Sequence, residues 1–351
     1  TIESSGDDFT ADIVTGTHVQ LAGTALGNLI IGKTGNTRQI DLSSDITTTG
    51  TQTYNGPVRL VGGDRTVSTT NSNVIFASTV NSDGTQRALT VTNGTGDTTF
   101  SGVIGGSAPV KSLTITSDQL TAGAITLNGA LTATLGGSSS ITGVIANGAS
   151  AANLVKAGSG TLTLSGANTY TGTTTINAGD LTVSGSLHDS TAVTIASGAD
   201  YNVNASDTVA SIEGAGNIVI ASSQTLTAGD GNDKTLSGVI SGAGNYIKAG
   251  SGTQTLSASN TYTGTTQVSA GTLTVSGSGR LSDSTAVTVD SGAVYNVAVS
   301  DTVASIAGAG SITLGSNTLT SGGSDASTTF SGVISGTVSY THLTLPTSNS
   351  V

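Results

Sequence analysis

Apolar and polar residues alternate along most of this chain in short stretches, which are separated by glycine, asparagine, aspartate and serine. Alternation with a period of two indicates a strand that buries one side, and the separating residues favour tight turns. The clearest apolar pairs are Leu162 and Leu164, Leu181 and Val183, Val193 and Ile195, Tyr201 and Val203, and Ile218 and Ile220. The pattern therefore predicts strands of about four to six residues and no helix.

Two long segments of the chain repeat each other. The stretch GTLTLSGANTYTGTTTINAGDLTV, residues 160–183, returns 92 positions later as GTQTLSASNTYTGTTQVSAGTLTV, residues 252–275. After a two-residue insertion in the second copy the offset becomes 94. We predict one copy over residues 153–244, a second over 245–336, and more divergent coils of the same kind over 1–152.

Strands this short cannot bury their apolar sides alone, so they must stack on copies of themselves. Stacking gives an all-β fold, a parallel β-helix (β-solenoid), in which three strands and three turns form a coil of about 20–30 residues. Composition does not change between the two halves, and we expect a single elongated domain. The side chains predicted to point inward are Leu162, Leu164, Leu181, Val183, Val193 and Ile195, with their equivalents Leu256, Leu273, Val275, Val287 and Val289.

Composition and charge narrow the classes of function. Of 351 residues, 50 are glycine, 9% are charged and 3% are aromatic, which is poor material for several compact domains. The formal net charge of −11 comes from scattered acidic residues, whereas a nucleic-acid partner requires clustered Lys and Arg. Cysteine is absent, which excludes disulfides and thiolate metal sites. We expect no nucleic-acid partner.

Residues 154–184 and 246–275 share the pattern L-x-K-x-G-x-G-T-L-T-L-S-G-x-N-T-Y-T-G-x-T-T, from which the second copy departs at a few positions such as Gln254. This pattern resembles the passenger-associated strand repeat of bacterial autotransporters. The stretch ITTTGTQTYNGPVRL, which begins at Ile46, is similar to repeats of filamentous-haemagglutinin-like large exoproteins.

The resemblance implies a right-handed β-helical stalk in a Gram-negative protein that is secreted or displayed on the cell surface, often as an adhesin. It also implies two kinds of partner. One is a glycan or protein on a host or neighbouring cell, and the other is an outer-membrane barrel or two-partner secretion pore encoded outside this segment. The alternative function is that of a β-helical carbohydrate-active enzyme, either a polysaccharide lyase or a hydrolase.

The three histidines, His18, His188 and His342, are far apart in the sequence. They form neither a Ser/His/Asp order nor a metal-binding pair. We expect them to be solvated turn residues.

A β-helical lyase or hydrolase would need carboxylates clustered with a basic residue on one face of the coil. The candidates are Asp7 and Asp8 near the start, and Asp64 with Arg65 in GGDRT. Each stands isolated among Gly, Ser and Thr, so we interpret them as acidic turns and predict no catalytic or cofactor-binding residue.

AGDGNDKTL, residues 228–236, is similar to the calcium-binding nonapeptide of β-solenoids. A single copy supplies only half of the ligands of a shared ion. In the second repeat Asp230 is replaced by Ser324 and Asp233 by Ser327. We predict a turn here and no metal site.

Two T-x-T phrases, Thr161 with Thr163 and Thr272 with Thr274, raise the hypothesis of an ice-binding face. Such a face needs T-x-T on one flat side of consecutive coils, whereas these phrases recur irregularly. Their β propensity explains them already.

The ending departs from the repeat after Gly336. VSYTHLTLPT, residues 338–347, resembles the translation of a transposase-based sequencing adaptor. We expect residues 337–351 to be non-native, the native chain to continue past Gly336 with another repeat, and Tyr340 and Pro346 to have no function.

Overall fold

A computed structural model describes residues 26–324 and 326–337, together with the backbone of one strand at Ile13–Val14. The described part consists of short strands joined by turns and contains no helix. It therefore has no helix that could cross a lipid bilayer. Asp7, Asp8, His18, His342 and the ending after Thr337 lie outside the described residues.

The chain winds in coils, and each coil passes three faces in the same order, which we call faces I, II and III. Face I contains β2 (Leu29–Ile31), β5 (Gln52–Tyr54), β8 (Val74–Phe76), β11 (Thr98–Phe100), β13 (Leu120–Ala122), β16 (Ser139–Ile141), β19 (Thr161–Leu164), β21 (Gly179–Val183), β23 (Ala199–Val203), β26 (Asn217–Ile220), β29 (Ile240–Gly242), β36 (Asp301–Val303) and β39 (Leu319–Ser321). Face II contains β1 (Ile13–Val14), β3 (Ile40–Leu42), β6 (Val58–Leu60), β9 (Val80–Ser82), β14 (Ile125–Leu127), β17 (Ile145–Asn147), β24 (Asp207–Val209), β27 (Thr225–Ala228), β30 (Asn245–Lys248), β32 (Thr266–Val268), β34 (Ala286–Val289) and β37 (Ser305–Gly308). Face III contains β4 (Ile46–Thr48), β7 (Arg65–Thr69), β10 (Leu89–Thr92), β12 (Leu113–Ser117), β15 (Ala130–Leu135), β18 (Asn153–Ala157), β20 (Thr174–Ile176), β22 (Ala192–Ile195), β25 (Ser211–Gly214), β28 (Lys234–Leu236), β31 (Thr253–Leu256), β33 (Thr272–Val275), β35 (Val294–Val297), β38 (Ser311–Gly315) and β40 (Val333–Gly336).

Successive coils pair through parallel ladders, which confirms the parallel β-solenoid. On face III fifteen strands follow one another in a single sheet. At about 4.8 Å per coil this sheet is about 65–70 Å long. Coil length varies, because Leu89 pairs with Leu113, 24 positions later, and Leu113 pairs with Leu131, 18 positions later.

The core is a column of apolar side chains inside the coils. Every side chain predicted to point inward is at most 1% exposed. Three aromatic rings on face I extend the column, since Tyr54, Phe76 and Phe100 stack with ring centroids 4.9 and 4.8 Å apart. The prediction of inward positions from the alternation is confirmed.

The two sequence copies lie on different faces of the solenoid. Strand β18 of the first copy lies on face III, but its equivalent β30 lies on face II. Likewise β19 lies on face I, and its equivalent β31 lies on face III. The side-chain contacts agree, because Asn168 Oδ1 accepts the amide of Ile145 on face II, whereas Asn260 Oδ1 accepts that of Ile240 on face I.

The shift follows from the number of coils in a repeat. Five coils separate β18 from β31 on face III, and β30 precedes β31 by one face. A repeat of 92 residues therefore spans five coils less one face. Equivalent residues in the two copies consequently point in different directions around the axis.

Replacing Leu164 by Asp should destabilise the protein by several kcal/mol, because the change buries an unpaired charge. Thr163→Asp is the matched control, because Thr163 is the neighbour of Leu164 on the same strand and points outward. This change should alter the free energy of unfolding by less than about 0.5 kcal/mol. Urea denaturation of both variants measures the difference. Equal stability of the two variants would contradict the inward assignment.

Deleting residues 153–244 should leave a folded solenoid in which the second copy occupies the position of the first. Each strand of the second copy would then lie on the face that its equivalent in the first copy occupies in the native chain. Thr255 would then lie beside Ser140, as Thr163 does in the native chain. Because the chain has no cysteine, the shift can be tested by introducing Cys at positions 140 and 255 of the deletion variant. We expect a disulfide, since neighbouring strands bring the two Cα atoms within about 4.4–6.8 Å.

The matched variant places Cys at positions 132 and 255 instead. These positions become neighbours only if the second copy stays on face III, because Thr132 is an outward residue of that face. A disulfide in this variant and none in the other would show that the copies do not turn.

Candidate functional site

The side chains of Asp64 and Arg65, the candidate catalytic pair of the first half, are held by different partners. The Asp64 carboxylate accepts the amide of Ala88 at 2.9 Å and pairs with Lys111 Nζ at 3.1 Å. These hydrogen bonds hold the pKa of Asp64 below its usual value. The Arg65 guanidinium instead donates to the backbone carbonyls of Leu42 and Val61 and to that of Asp64 itself.

A second ion pair lies in the adjacent coil. Asp83 and Arg87 are 3.3 Å apart across a corner loop. Burial alone would raise the pKa of Asp83, but the hydrogen bonds from Arg87, Thr85 and Gly62 outweigh burial and lower the pKa. A glycoside hydrolase needs one carboxyl group whose pKa is raised, so that it can act as an acid beside a carboxylate. Neither Asp64 nor Asp83 meets this requirement.

A recess lies next to these ion pairs, where the loops after β9 and before β12 extend from the coil. Its volume is about 320 Å³, and its walls include Thr85, Gln86, Ser107, Pro109 and Asn128. No carboxylate and no histidine lines it. The recess therefore offers hydrogen-bonding groups without a general acid or base.

His188 stabilises a turn. Its Nδ1 accepts the amide of Ser190 at 3.2 Å and lies 2.8 Å from the Ser190 hydroxyl. In the second copy the equivalent Ser282 accepts the amide of Ser284 and contacts its hydroxyl in the same way. A serine can replace the histidine, so the described geometry assigns His188 a role in the turn.

The loop predicted as a turn at residues 228–236 holds its carboxylates apart. Asp230 accepts two hydrogen bonds from Asn232 of the same loop, and Asp233 accepts the amide of Thr253 in the next coil. Burial raises the pKa of Asp230, but the bonds from Asn232 and the charge of Lys234 outweigh it and lower the pKa. Within residues 26–324 and 326–337, no three His, Asp or Glu side chains converge as metal ligands.

The two T-x-T phrases singled out in the sequence lie on different faces. Thr161 and Thr163 belong to β19 on face I, whereas Thr272 and Thr274 belong to β33 on face III. They do not form one array.

The residues that the sequence analysis missed are buried polar groups which recur in both copies. Lys156 is fully buried, and its Nζ donates to the carbonyls of Ala157, Gly158 and Ala178 at 2.9–3.0 Å. Lys248 makes the equivalent three bonds at 2.6–3.1 Å. Burial lowers the pKa of Lys156 to about 8, although the charge of Asp180 opposes the shift. Each lysine therefore joins a corner of its own coil to the next coil by hydrogen bonds.

Asn168 joins three coils. Besides accepting the amide of Ile145, its Nδ2 donates to the carbonyls of Gly166 and Ser186 at 3.0 and 2.9 Å. Asn260 makes the equivalent bonds in the second copy. Because an amide both donates and accepts, it can satisfy backbone groups where the ladder is interrupted.

A buried tyrosine and aspartate form the last recurring pair. Tyr201 donates to Asp207 at 2.8 Å, and the same carboxylate accepts the amides of Leu187 and Thr208 at 3.1 Å. Tyr295 and Asp301 repeat the arrangement. Burial raises the pKa of Asp207 to about 6 despite these hydrogen bonds, and it also raises the pKa of Asp301.

These buried polar clusters connect neighbouring coils. The sequence contained a signal for these contacts. Four of the residues recur in the second copy at the repeat offset, namely Lys156, Asn168, Tyr201 and Asp207. A polar residue kept at a strand or corner of two otherwise variable copies indicates a contact between coils.

Comparison with known proteins agrees with this architecture. A family model described as the passenger-associated-transport-repeat matches residues 154–183 and 247–275. The two matched segments, together with the β-solenoid, fit a repeat fragment of an autotransporter passenger. Comparison with curated proteins and with solved structures gave no match.

The buried Asp207 should make stability depend on pH. The carboxyl has a pKa near 3.8 when unfolded and about 6 when folded, so between these values the folded state retains a proton that the unfolded state has released. Stability should therefore fall as pH rises from about 4 to 6, by roughly 2–3 kcal/mol for this group. Asp207→Asn should remove this loss, as urea denaturation at several pH values would measure.

The exposed Thr208, which lies beside Asp207 on β24 and has no titratable group, provides the control. The difference in stability between wild type and Asp207→Asn should grow with pH, whereas that between wild type and Thr208→Asn should stay flat. A constant difference for Asp207→Asn from pH 4 to 7 would show that its carboxyl is not protonated in the fold.

Proposed function

We infer that this chain is a stalk segment of a secreted or surface-displayed bacterial adhesin. The observation that carries the proposal is the face III sheet, whose fifteen strands run from Ile46 to Gly336 and pass through both passenger-associated repeats. Such a sheet leaves no hinge between the coils, because each strand of face III is paired with the strand of the next coil.

The mechanism is display at a distance. The ladders hold about 65–70 Å of stacked coils in one direction, and the outer faces carry mainly Thr, Ser and Asn. Binding would use these long faces, with a glycan or protein of a host or neighbouring cell as the partner. An outer-membrane barrel or two-partner secretion pore, encoded outside this segment, would export it. Nucleic acid is not a partner in this proposal.

The carbohydrate-active enzyme is the less favoured function. Asp64 and Asp83 are each held in an ion pair, and their lowered pKa values suit structural carboxylates better than an acid catalyst. We propose no catalytic residue, cofactor or metal.

The stalk can be tested by measuring its reach. The full chain is anchored through its C-terminal end to a bacterial surface and carries a fluorescent label at its N-terminal end. The control lacks residues 153–244. Energy transfer to a membrane dye should show that the deletion brings the label about 22 Å closer, because it removes five coils less one face at about 4.8 Å each.

The adhesive role needs a separate readout. Cells that display the wild-type chain should adhere to epithelial cells more strongly than cells that display the destabilised Leu164→Asp variant, with Thr163→Asp as control. Equal adhesion of wild type and Leu164→Asp would overturn the adhesive role, and an unchanged label distance in the deletion variant would overturn the stalk. Release of soluble sugar from polysaccharides by the purified chain would favour the enzyme.

A further inference from the structure

Face III of the first half carries a regular array of hydroxyl groups. The strands β7, β10, β12 and β15 each present two outward side chains with a hydroxyl group, and β4 adds one. Their registers align them in two columns, one of Thr66, Thr90, Thr114 and Thr132, and the other of Thr47, Ser68, Thr92, Thr116 and Thr134. We call these nine residues the hydroxyl array. Three consecutive strands carry complete T-x-T phrases.

The array is regular in two directions. Neighbouring coils are about 4.8 Å apart, and outward residues of one strand are about 6.7 Å apart. Between the columns lie the inward side chains of Val67, Val91, Ile115 and Ala133, all fully buried. Their packing keeps the four strands at the same distance from the axis of the coils. Threonine is stiff at χ1, so each hydroxyl has few orientations.

The hydroxyls of the array are available to a ligand. Thr47 and Ser68 hydrogen-bond each other at 2.8 Å. In the described part of the chain, the hydroxyls of the seven other residues make no hydrogen bond to protein. Thr47 and Thr92 are exposed, and the other seven residues of the array are half-buried.

The array is neutral although the chain carries a net charge of −11. No array position is charged. Charged groups lie at its edges, where Asp45 accepts the amide of Thr66, Arg65 donates to backbone carbonyls, and Lys111 pairs with Asp64. A neutral face complements a neutral partner and gives no attraction to a polyelectrolyte.

The array also lacks the groups that usually hold sugars. Sugar-binding sites commonly include an aromatic ring, whereas Tyr54, Phe76 and Phe100 lie inside the coils. What remains is a flat lattice of hydroxyl and methyl groups. Oxygen atoms on the surface planes of ice repeat at distances close to both spacings of this lattice, and the methyl groups between the hydroxyls favour an ordered arrangement of water.

We propose that the hydroxyl array binds ordered water at the surface of ice. The array orders surface water in the ice lattice and thereby attaches the protein to the crystal. This activity is independent of the stalk function and of a cellular partner, because it uses only the outer side of five coils.

Ice itself is the probe. The full chain is tested for thermal hysteresis, and a fluorescently labelled chain is tested for accumulation on a growing ice crystal. The array variant combines Thr114→Tyr with Thr116→Tyr, which places two bulky rings in the centre of the array. The matched control combines Thr121→Tyr with Thr163→Tyr, two outward threonines of face I. We expect hysteresis and ice labelling in wild type and control, and loss of both in the array variant.

Thermal melting followed by circular dichroism checks that each variant is folded. Should the double Tyr variant unfold, Thr114→Lys with Thr121→Lys as its control gives the same comparison with a single flexible side chain. Absence of both hysteresis and ice labelling in the wild type would overturn the proposal. So would equal activity in array and control variants, or binding to microcrystalline cellulose without binding to ice.

Discussion

The backbone hydrogen bonds between successive coils are the interaction on which the rest of this structure depends. Most strands have only three to five residues, and an isolated pair of such strands is not stable in water. Each coil is stabilised because its neighbours satisfy its peptide groups and cover its apolar side chains. Since every coil needs the next, stability accumulates along the axis, as in other repeat architectures.

Buried polar side chains form hydrogen bonds with the peptide groups that the ladders leave unpaired at the corners. Where the chain turns between faces, peptide groups lose their ladder partners, and burying them unpaired would cost free energy. Lys156 satisfies three carbonyls at such a corner, and Asn168 bridges three coils. Asp207 accepts two amides and a tyrosine hydroxyl, although its burial disfavours the charge. These residues explain why the two copies retain the same polar positions while many others differ.

The outer faces are free of this constraint and can carry function. Their side chains contribute little to the core, so a face can become a charged, neutral or adhesive surface without loss of the fold. Because a repeat spans five coils less one face, equivalent outward residues such as Thr163 and Thr255 point to different sides. A solenoid built of such copies presents one surface in several directions, whereas the hydroxyl array, formed by the divergent first half, stays on one side.

The sequence by itself determined the strands, the inward positions and the parallel β-solenoid. Alternation and turn residues are local properties, so they do not depend on which strands become neighbours. It also pointed to the turn at Asp230, but not to the ion pair between Asp64 and Lys111, which are 47 positions apart. Only the tertiary structure decided which residues meet across coils. Coil length varies from 18 to 24 positions between Leu89 and Leu131, so register cannot be counted along the chain. For that reason the stacking of Thr90, Thr114 and Thr132 and the turn of one copy relative to the other became visible only when the ladders were in place.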